Sequence, residues 1–577
     1  MADFQTAQTV TGDPVATTAG ADDGDSAKAA LAAIAAAAAL SACGGGGGGG
    51  VETPGGPGTP PTVPPTPPVP PSASEASRFL AQATMGPTST DIAKVQADGY
   101  TAWLDAQLAL PPSTTRWDWM VSKAYDDAAN KNSETGIDPA LWRKLLSSPD
   151  TVRQRVTLAL SEIVVASVAG FSGGWNAFSG AAYMDILEAN AFGNYRTLLQ
   201  QISTSPAMGE YLTFRGNLKF NASTGANPDE NYAREVMQLF TIGLVQLNLD
   251  GTPKLANGAP QETYTLDDIS GLARVFTGWN YDLTTSDTST PAFKKRPMTQ
   301  TASKHESGAK TFLGTTIPAN TNGDTSLQLA LDAIFAHANV APFISRQLIQ
   351  RLVTSNPTPA YVARVATVFN NDGSGVKGNL KAVVRTILLD DEARNAARIA
   401  DPNFGKQREP ILRLAAWARA FGANSATDAW AIGNTSDGAS RLGQSPGRAP
   451  TVFNFFRPGY VPPNSGVGSA GLVAPEFQLT NESSVVGYVN YMQNAISKGI
   501  GDVKADYSAL LPLADTSQKL IDQLNLLLAA GQLSSASQAT IKGGIDSMAS
   551  GTDTARLNRI YAATVLVMAS PEFIVQK

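Results

Sequence analysis

The run GGGGGGGVETPGGPGTPPTVPPTPPVPP, residues 44–71, sets the first limit on what this chain can fold into. Glycine loses the most backbone freedom on ordering. Proline lacks an N–H and holds φ near −65°. The run therefore supplies neither a helix nor a buried sheet face, and it reads as a tether. Its Pro-rich part, Val51–Pro71, favours polyproline II, which at about 3.1 Å per residue reaches roughly 65 Å. The chain divides into a leading segment 1–43, a Gly/Pro-rich tether 44–73 and a body 74–577 that must hold the core. Hydrophobic residues make up 43% of the chain, enough to build one, and charged residues only 16%.

The single cysteine, Cys43, stands immediately before the glycines. It follows Lys28, an Ala-rich apolar run from Ala29 with Ile34 inside it, and Leu40-Ser41-Ala42. This arrangement resembles a bacterial lipoprotein signal, in which the cysteine thiol takes a diacylglycerol and the chain is cleaved before it. Two acyl chains, at about 0.8 kcal/mol per buried CH₂, anchor firmly where one does not. The resemblance implies an exported protein, periplasmic or held at the outer membrane by Cys43, with the tether lifting the body clear. The apolar run is too short to span a bilayer as a helix. The membrane is therefore reached through the lipid alone.

One cysteine makes no internal disulfide and no cysteine-based zinc site. Two histidines, His305 and His337, exclude a three-histidine metal site; carboxylate-based calcium or magnesium sites stay open, and no metal ligand or cofactor is assigned. Most of the formal charge of −6 lies in residues 1–42, where Asp3, Asp13, Asp22, Asp23 and Asp25 face only Lys28. The nearly neutral remainder has no footprint for nucleic acid.

Periodicity predicts a mainly α body, one large multi-helix domain of one or two lobes with a minor β-hairpin insertion. Ser74 is the expected N-cap of the first helix. Two short helices should flank Gly99, stopped by Pro111 and Pro112. In SPDTVRQRVTLALSEIVVASVAG, Val152, Val156, Leu160 and Ile163 line one helical face. Helices are also expected over Tyr183–Ala191, Tyr195–Ser203, the NPDENYAREVMQLFTIGL segment, Leu327–His337, Pro342–Val353, Pro359–Asn370, Leu380–Leu389, Arg408–Phe421, Asn481–Ile496, Ser517–Leu528 and Ala555–Met568. Residues 248–316, with Asp250-Gly251 and Asn257-Gly258 turns and the β-like TFLGTTI, should hold one or two hairpins.

Several segments together resemble the bacterial family called domain of unknown function 1800 (DUF1800). They are ASRFLAQATMGPTSTDIAKVQADGYTAWLDAQL, ENYAREVMQLFTIGL, ARVFTGW, KHESGAKTFLG, SPGRAPTVFNFFRPGYVPP and the terminal ASPEFIVQ. The resemblance covers about residues 75–575. It implies an exported protein and a partner of the domain of unknown function 1501 (DUF1501) type, but it carries no catalytic role. Where the family often has His-Asp-x-Gly-x-Lys, this chain has His305-Glu306-Ser307-Gly308-Ala309-Lys310.

Three groups are candidates for a site. On one helix, Glu230 and Arg234 share a face and Asn231 and Glu235 share the adjacent one, a set that serves either a ligand or a structural ion-pair face. His305 and Glu306 lie with Lys310 in the irregular region and can act as base and acid, or can tie down a loop. His337 near a helix end suits the dipole as a cation. In SPGRAPTVFNFFRPGYVPP, Arg448, Asn454 and Arg457 with Phe455, Phe456 and Tyr460 offer stacking and hydrogen bonds to a glycan, or staple a long loop to the core. The Gly466–Gly471 match to G-x-G-x-x-G lacks a preceding strand, and Asn370–Gly375 lacks the closing Glu of a calcium loop. No zincin or Walker motif occurs. Two functions remain: a non-enzymatic, lipid-anchored protein binding a protein partner or envelope polymer, and a hydrolase-like or polymer-modifying enzyme with a carboxylate/His site. A cleft gathering His305, Glu235 and Arg448 would favour the enzyme, and their dispersal the binder.

Overall fold

The structure is a computed structural model that describes residues 70–577, apart from residue 286. Cys43 and nearly all of the tether, with the expectations placed on them, lie outside the described residues.

The first helix, Ala73–Ala83, begins two residues earlier than its sequence suggested. Its cap is Ser72, because only Ser72 has a glutamate three positions on. The Glu75 N–H donates to the Ser72 hydroxyl at 3.2 Å, and the Ser72 N–H donates to the Glu75 carboxylate at 2.9 Å. The two helices expected around Gly99 are joined as Ser89–Ala109, broken by Gly99 at φ 77° and ψ 166°.

At the centre lies helix Thr151–Ser161, buried on every side from Thr151 to Leu160. Helices Ser89–Ala109, Ile137–Ser147, Asn176–Asn190 and Val340–Leu352 pack around it. Its apolar face is the expected one. The opposite face carries Arg153, Gln154, Arg155 and Thr157, and each finds a partner there. Arg153 donates to the Leu110 carbonyl at 2.7 Å, and Thr157 to the Arg153 carbonyl at 2.8 Å. Gln154 accepts from the buried Arg116, which also meets Glu188 at 2.6 Å. A helix this deep tolerates polar residues because most of their polar atoms find partners, although Arg155 Nε and Nη1 find none among the described residues.

Helices Tyr195–Ser203, Pro359–Asn370 and Leu380–Leu389 match their expected spans, and most others shift by a few residues. Helix Ile137–Ser147 had no expectation. It starts from Gly136 at φ 97° and buries Lys144 among apolar residues, which breaks the stripe. The irregular region holds three antiparallel two-stranded pairs: Leu255–Ala256 with Ala259–Pro260, Trp279–Asn280 with Thr299–Gln300, and Lys310–Phe312 with Thr315–Ile317. Asn257 and Gly258 both take positive φ at the first turn, as a tight hairpin demands. Two further pairs lie outside that region, Lys406–Gln407 with Val575–Gln576 and Asn424–Ser425 with Val503–Lys504. Both join distant parts of the sequence, which local patterning does not reveal. The described residues belong to one compact unit.

Leu160 is fully buried and Val121 is 42% exposed. Leu160→Ala should cost about 2–5 kcal/mol of unfolding free energy, whereas Val121→Ala should stay within about 0.5 kcal/mol. Urea titrations of the two variants provide the check, and equal losses would contradict the central placement of this helix.

Candidate functional site

Helix Val340–Leu352 ends inside the protein, so its last carbonyls need donors. Three distant segments supply them. Arg155 Nη2 and Lys406 Nζ both donate to the Arg351 carbonyl, the latter at 2.7 Å. Gln576 Nε2 donates to the Leu352 carbonyl at 3.0 Å. Cations also suit the negative end of a helix dipole. Once buried, these cations require counter-charge. Lys406 meets Glu476 at 2.8 Å, and Arg351 Nε lies 3.5 Å from Glu162. Glu409 is fully buried and accepts from Gln444 Nε2 at 2.6 Å.

The carboxyls of Glu162 and Glu409 touch each other. Neither Glu162 oxygen, nor Glu409 Oε1, has another hydrogen-bond donor. A single proton shared between the two carboxyls satisfies them. The pairing acts on the two groups in opposite directions. Burial, and then the charge of Glu409, push the Glu162 pKa well above the usual carboxylate range. Burial also acts on Glu409, but the hydrogen bond from Glu162 and the charges of Lys406 and Arg155 outweigh it and hold that group lower.

Above this floor opens a cleft of about 670 Å³. One wall is the helix Val340–Leu352, presenting Phe343, Arg346, Gln347 and Gln350. A second is the end of ENYAREVMQLFTIGL, with Gln238, Leu239, Gly243 and Leu244. Gly243 turns the chain at φ 72°, and a Cβ there would meet the Phe343 ring at 2.7 Å. Asn339 fixes this wall, donating to the Ile242 and Val245 carbonyls at 2.8 and 2.7 Å. The third wall is TVFNFFRPGYV, with Phe453, Arg457 and Tyr460. Gln350 Nε2 ties it down, donating to the Ser355 carbonyl at 3.0 Å and to Pro458 at 3.3 Å. Glu162 and Ile163 complete the floor.

The residues singled out from sequence fall in different places. Arg457 lines the cleft, its guanidinium 4.7 Å from the centre of the Phe453 ring. Asn454, buried at φ 63°, lines a much smaller cavity that also borders Glu162. Arg448 is held elsewhere by a two-pronged pair with Asp138 at 2.6 and 2.9 Å and by Glu134 at 2.7 Å. It pins the loop to helix Ile137–Ser147. Glu235 is buried on helix Asn231–Gln238, its pKa raised by burial despite Arg234, and its Oε2 has no partner. Arg234 makes only a half-exposed pair with Glu230 at 3.6 Å. Asn231 lies at the surface, with Thr213 Oγ1 at 3.4 Å.

His305 is buried, and its Nδ1 sits 3.0 Å from the Thr277 carbonyl, so Nδ1 carries the proton. Burial lowers its pKa. The Glu306 N–H donates to Thr277 Oγ1 at 2.9 Å, and Glu306 Oε1 accepts from Gly308 N–H at 2.9 Å. KHESGAKTFLG and ARVFTGW thus lock each other. His337 accepts from the Asn339 N–H at 3.1 Å, and burial lowers its pKa as well. It acts as a neutral acceptor rather than the cation expected at a helix end. Among the described residues no hydrogen bond or ion pair links any two of His305, Glu235 and Arg448.

Sequence reasoning missed Glu162, Glu409, Glu476, Arg351, Lys406 and Gln347. One signal was legible: Arg155 and Glu162 are seven apart, on one face of a helix whose neighbours are apolar.

The fold and cleft define a mainly α protein with one principal concave site among the described residues. The family model described as "Protein of unknown function (DUF1800)" matches residues 78–575, and the chain belongs to that family. No curated protein and no solved structure matches the chain.

The shared proton has a definite pH signature. A carboxyl whose folded pKa lies above its unfolded value of about 4.3 stabilises fully below that value, and loses this contribution as pH rises toward the folded pKa. Glutamine keeps the neutral form at every pH. Glu162→Gln should therefore gain stability relative to the native chain as pH rises above about 4, by at most about 1.4 kcal/mol per pH unit. Urea unfolding at several pH values measures the difference, and a flat or falling one excludes the shared proton.

Proposed function

We propose that the protein is an exported envelope protein, lipid-anchored at Cys43, whose helical body binds a segment of envelope polymer in the cleft. The observation that carries the reading is the cleft itself. Two segments that are distinctive in the sequence, ENYAREVMQLFTIGL and SPGRAPTVFNFFRPGYVPP, meet there and line it together. Its volume lies in the range of sites that take a ligand or a short chain segment. Aromatic faces from Phe453, Phe343 and Tyr460 alternate with the amides of Gln238, Gln347 and Gln350. Rings stack on rings and amides hydrogen-bond to hydroxyls or carbonyls, a mixture suited to a polar repeating chain. A protein partner of the DUF1501 type needs a broad face of about 800 Å², and a concave groove favours the polymer. The anchor half of the proposal rests on Leu40-Ser41-Ala42-Cys43 and the tether that follows.

The second reading, a polymer-modifying enzyme, is favoured by the Glu162–Glu409 pair beneath the cleft, since a protonated carboxyl beside a carboxylate is the equipment of acid–base chemistry. Binding is preferred because both Glu162 oxygens are sealed from solvent and His305 lies outside the cleft lining.

Fractionation of the native host tests the anchor. The native chain should sediment with membranes, and Cys43→Ala should move to the soluble fraction; identical partition of both excludes the lipid. Binding to isolated envelope polymer tests the cleft. Val452 lines the cleft beside Phe453, so Val452→Trp should abolish retention, and retention unchanged by that variant would place binding elsewhere.

A further inference from the structure

We propose that the group recognised in the cleft is an anion, a carboxylate or phosphate borne by the bound segment and held by Arg346 and Arg457. This inference rests on the cleft-binding reading above and names the chemistry of its occupant.

The charged residues lining the cleft are Arg346, Arg351, Arg457 and Glu162. Three are cations. The one carboxyl is already engaged, lying against Arg351 at 3.5 Å and against Glu409. The Arg346 guanidinium opens onto the cleft and makes no hydrogen bond or ion pair with any described residue. Burial alone shifts its pKa, downward, and no carboxylate stands near enough to oppose that shift. Arg457 is exposed, and its guanidinium stands over the Phe453 ring with no hydrogen bond or ion pair among the described residues.

Elsewhere several surface arginines meet carboxylates. Arg364 meets Asp390 at 2.7 Å, Arg385 meets Asp105 at 2.7 Å, and Arg556 meets Asp515 at 2.7 Å. Exposed Arg274 and Arg441 also lack a carboxylate but donate to the Ala309 and Asn434 carbonyls, whereas the guanidiniums of Arg346 and Arg457 have neither kind of partner among the described residues. The floor adds to the field. Arg155, Arg351 and Lys406 are three fixed cations, and Glu162, Glu409 and Glu476 are three carboxyls, two of which share a proton. The cluster under the cleft is therefore net positive. In a concave site with apolar walls such a field is focused, and an anion is attracted from a distance. A guanidinium takes carboxylate or phosphate through paired N–H donors, while an aromatic wall orients what carries it. The Gln347 amide, lining the same wall without a protein partner, adds a donor beside Arg346.

The test is calorimetric titration of the full chain with three probes. Hexagalacturonate carries carboxylates, a glycerol-phosphate hexamer carries phosphodiesters, and maltohexaose is neutral. At least one anionic probe should bind more tightly than maltohexaose, and the tighter arm identifies the anion. Arg346→Gln and Arg457→Gln should each weaken that binding roughly ten- to hundred-fold, as expected for loss of a charge-assisted hydrogen bond. Arg385→Gln, at a distant surface pair, should leave it unchanged. Added salt should weaken the anionic probes in the native chain and spare the neutral one, a readout independent of any variant's folding. Equal binding of neutral and anionic probes, insensitive to Arg346→Gln and to salt but abolished by Val452→Trp, overturns the anion and leaves the cleft reading standing. Failure of all three probes, or anionic binding indifferent to Val452→Trp, overturns both.

Discussion

The buried C-terminus of helix Val340–Leu352 is the constraint on which the rest of the structure turns. A helix end inside a protein exposes carbonyls that no water can reach. Arg155 from the central helix, Lys406 from a short strand and Gln576 from the end of the chain converge to satisfy them. This closure brings together residues more than four hundred positions apart. It also explains why the terminal ASPEFIVQ is distinctive: its glutamine is one of the donors, and its strand pairs with Lys406–Gln407. The cations recruited for the carbonyls then draw Glu162, Glu409 and Glu476 into the interior.

The charged cluster and the cleft are two faces of one arrangement. Arg351 caps the cluster from above, donating to the Glu162 carbonyl at 2.8 Å, and it lines the cleft on its other side. A field generated for structural reasons is in this way presented to solvent through a defined opening. Helix Ile137–Ser147 shows the same economy on a smaller scale. There Lys144 and Arg116 converge on Glu188 at 2.6 Å each, fully buried and outside the lining of the cleft. The difference between a structural cluster and a candidate site is the opening, not the charges.

The histidine and arginine motifs have a plainer explanation. His305 holds a carbonyl, Glu306 caps the turn at Gly308, and Arg448 staples a loop across a helix through Asp138. Long irregular segments contain many backbone groups that no ladder satisfies, and polar side chains at Gly-rich turns supply the missing partners. Distinctive sequence there records the difficulty of folding a loop. Arg457, from the same loop as Arg448, escapes that role because its neighbour is a ring rather than a carboxylate.

Periodicity determined the mainly α body and the spans Tyr195–Ser203, Pro359–Asn370 and Leu380–Leu389, turn signals the β-bearing insertion, and the resemblance of several segments the family, because each of these is carried within one stretch of chain. Half of the cleft was legible as well, since Arg457, Tyr460 and the aromatics near them stood out by composition. Only the tertiary structure decided that Glu162 touches Glu409, that Arg346 lacks a counter-ion, and that Arg448 has two. Whether a charged side chain is paired depends on what the fold brings within a few ångströms of it, and sequence separation carries no record of that distance.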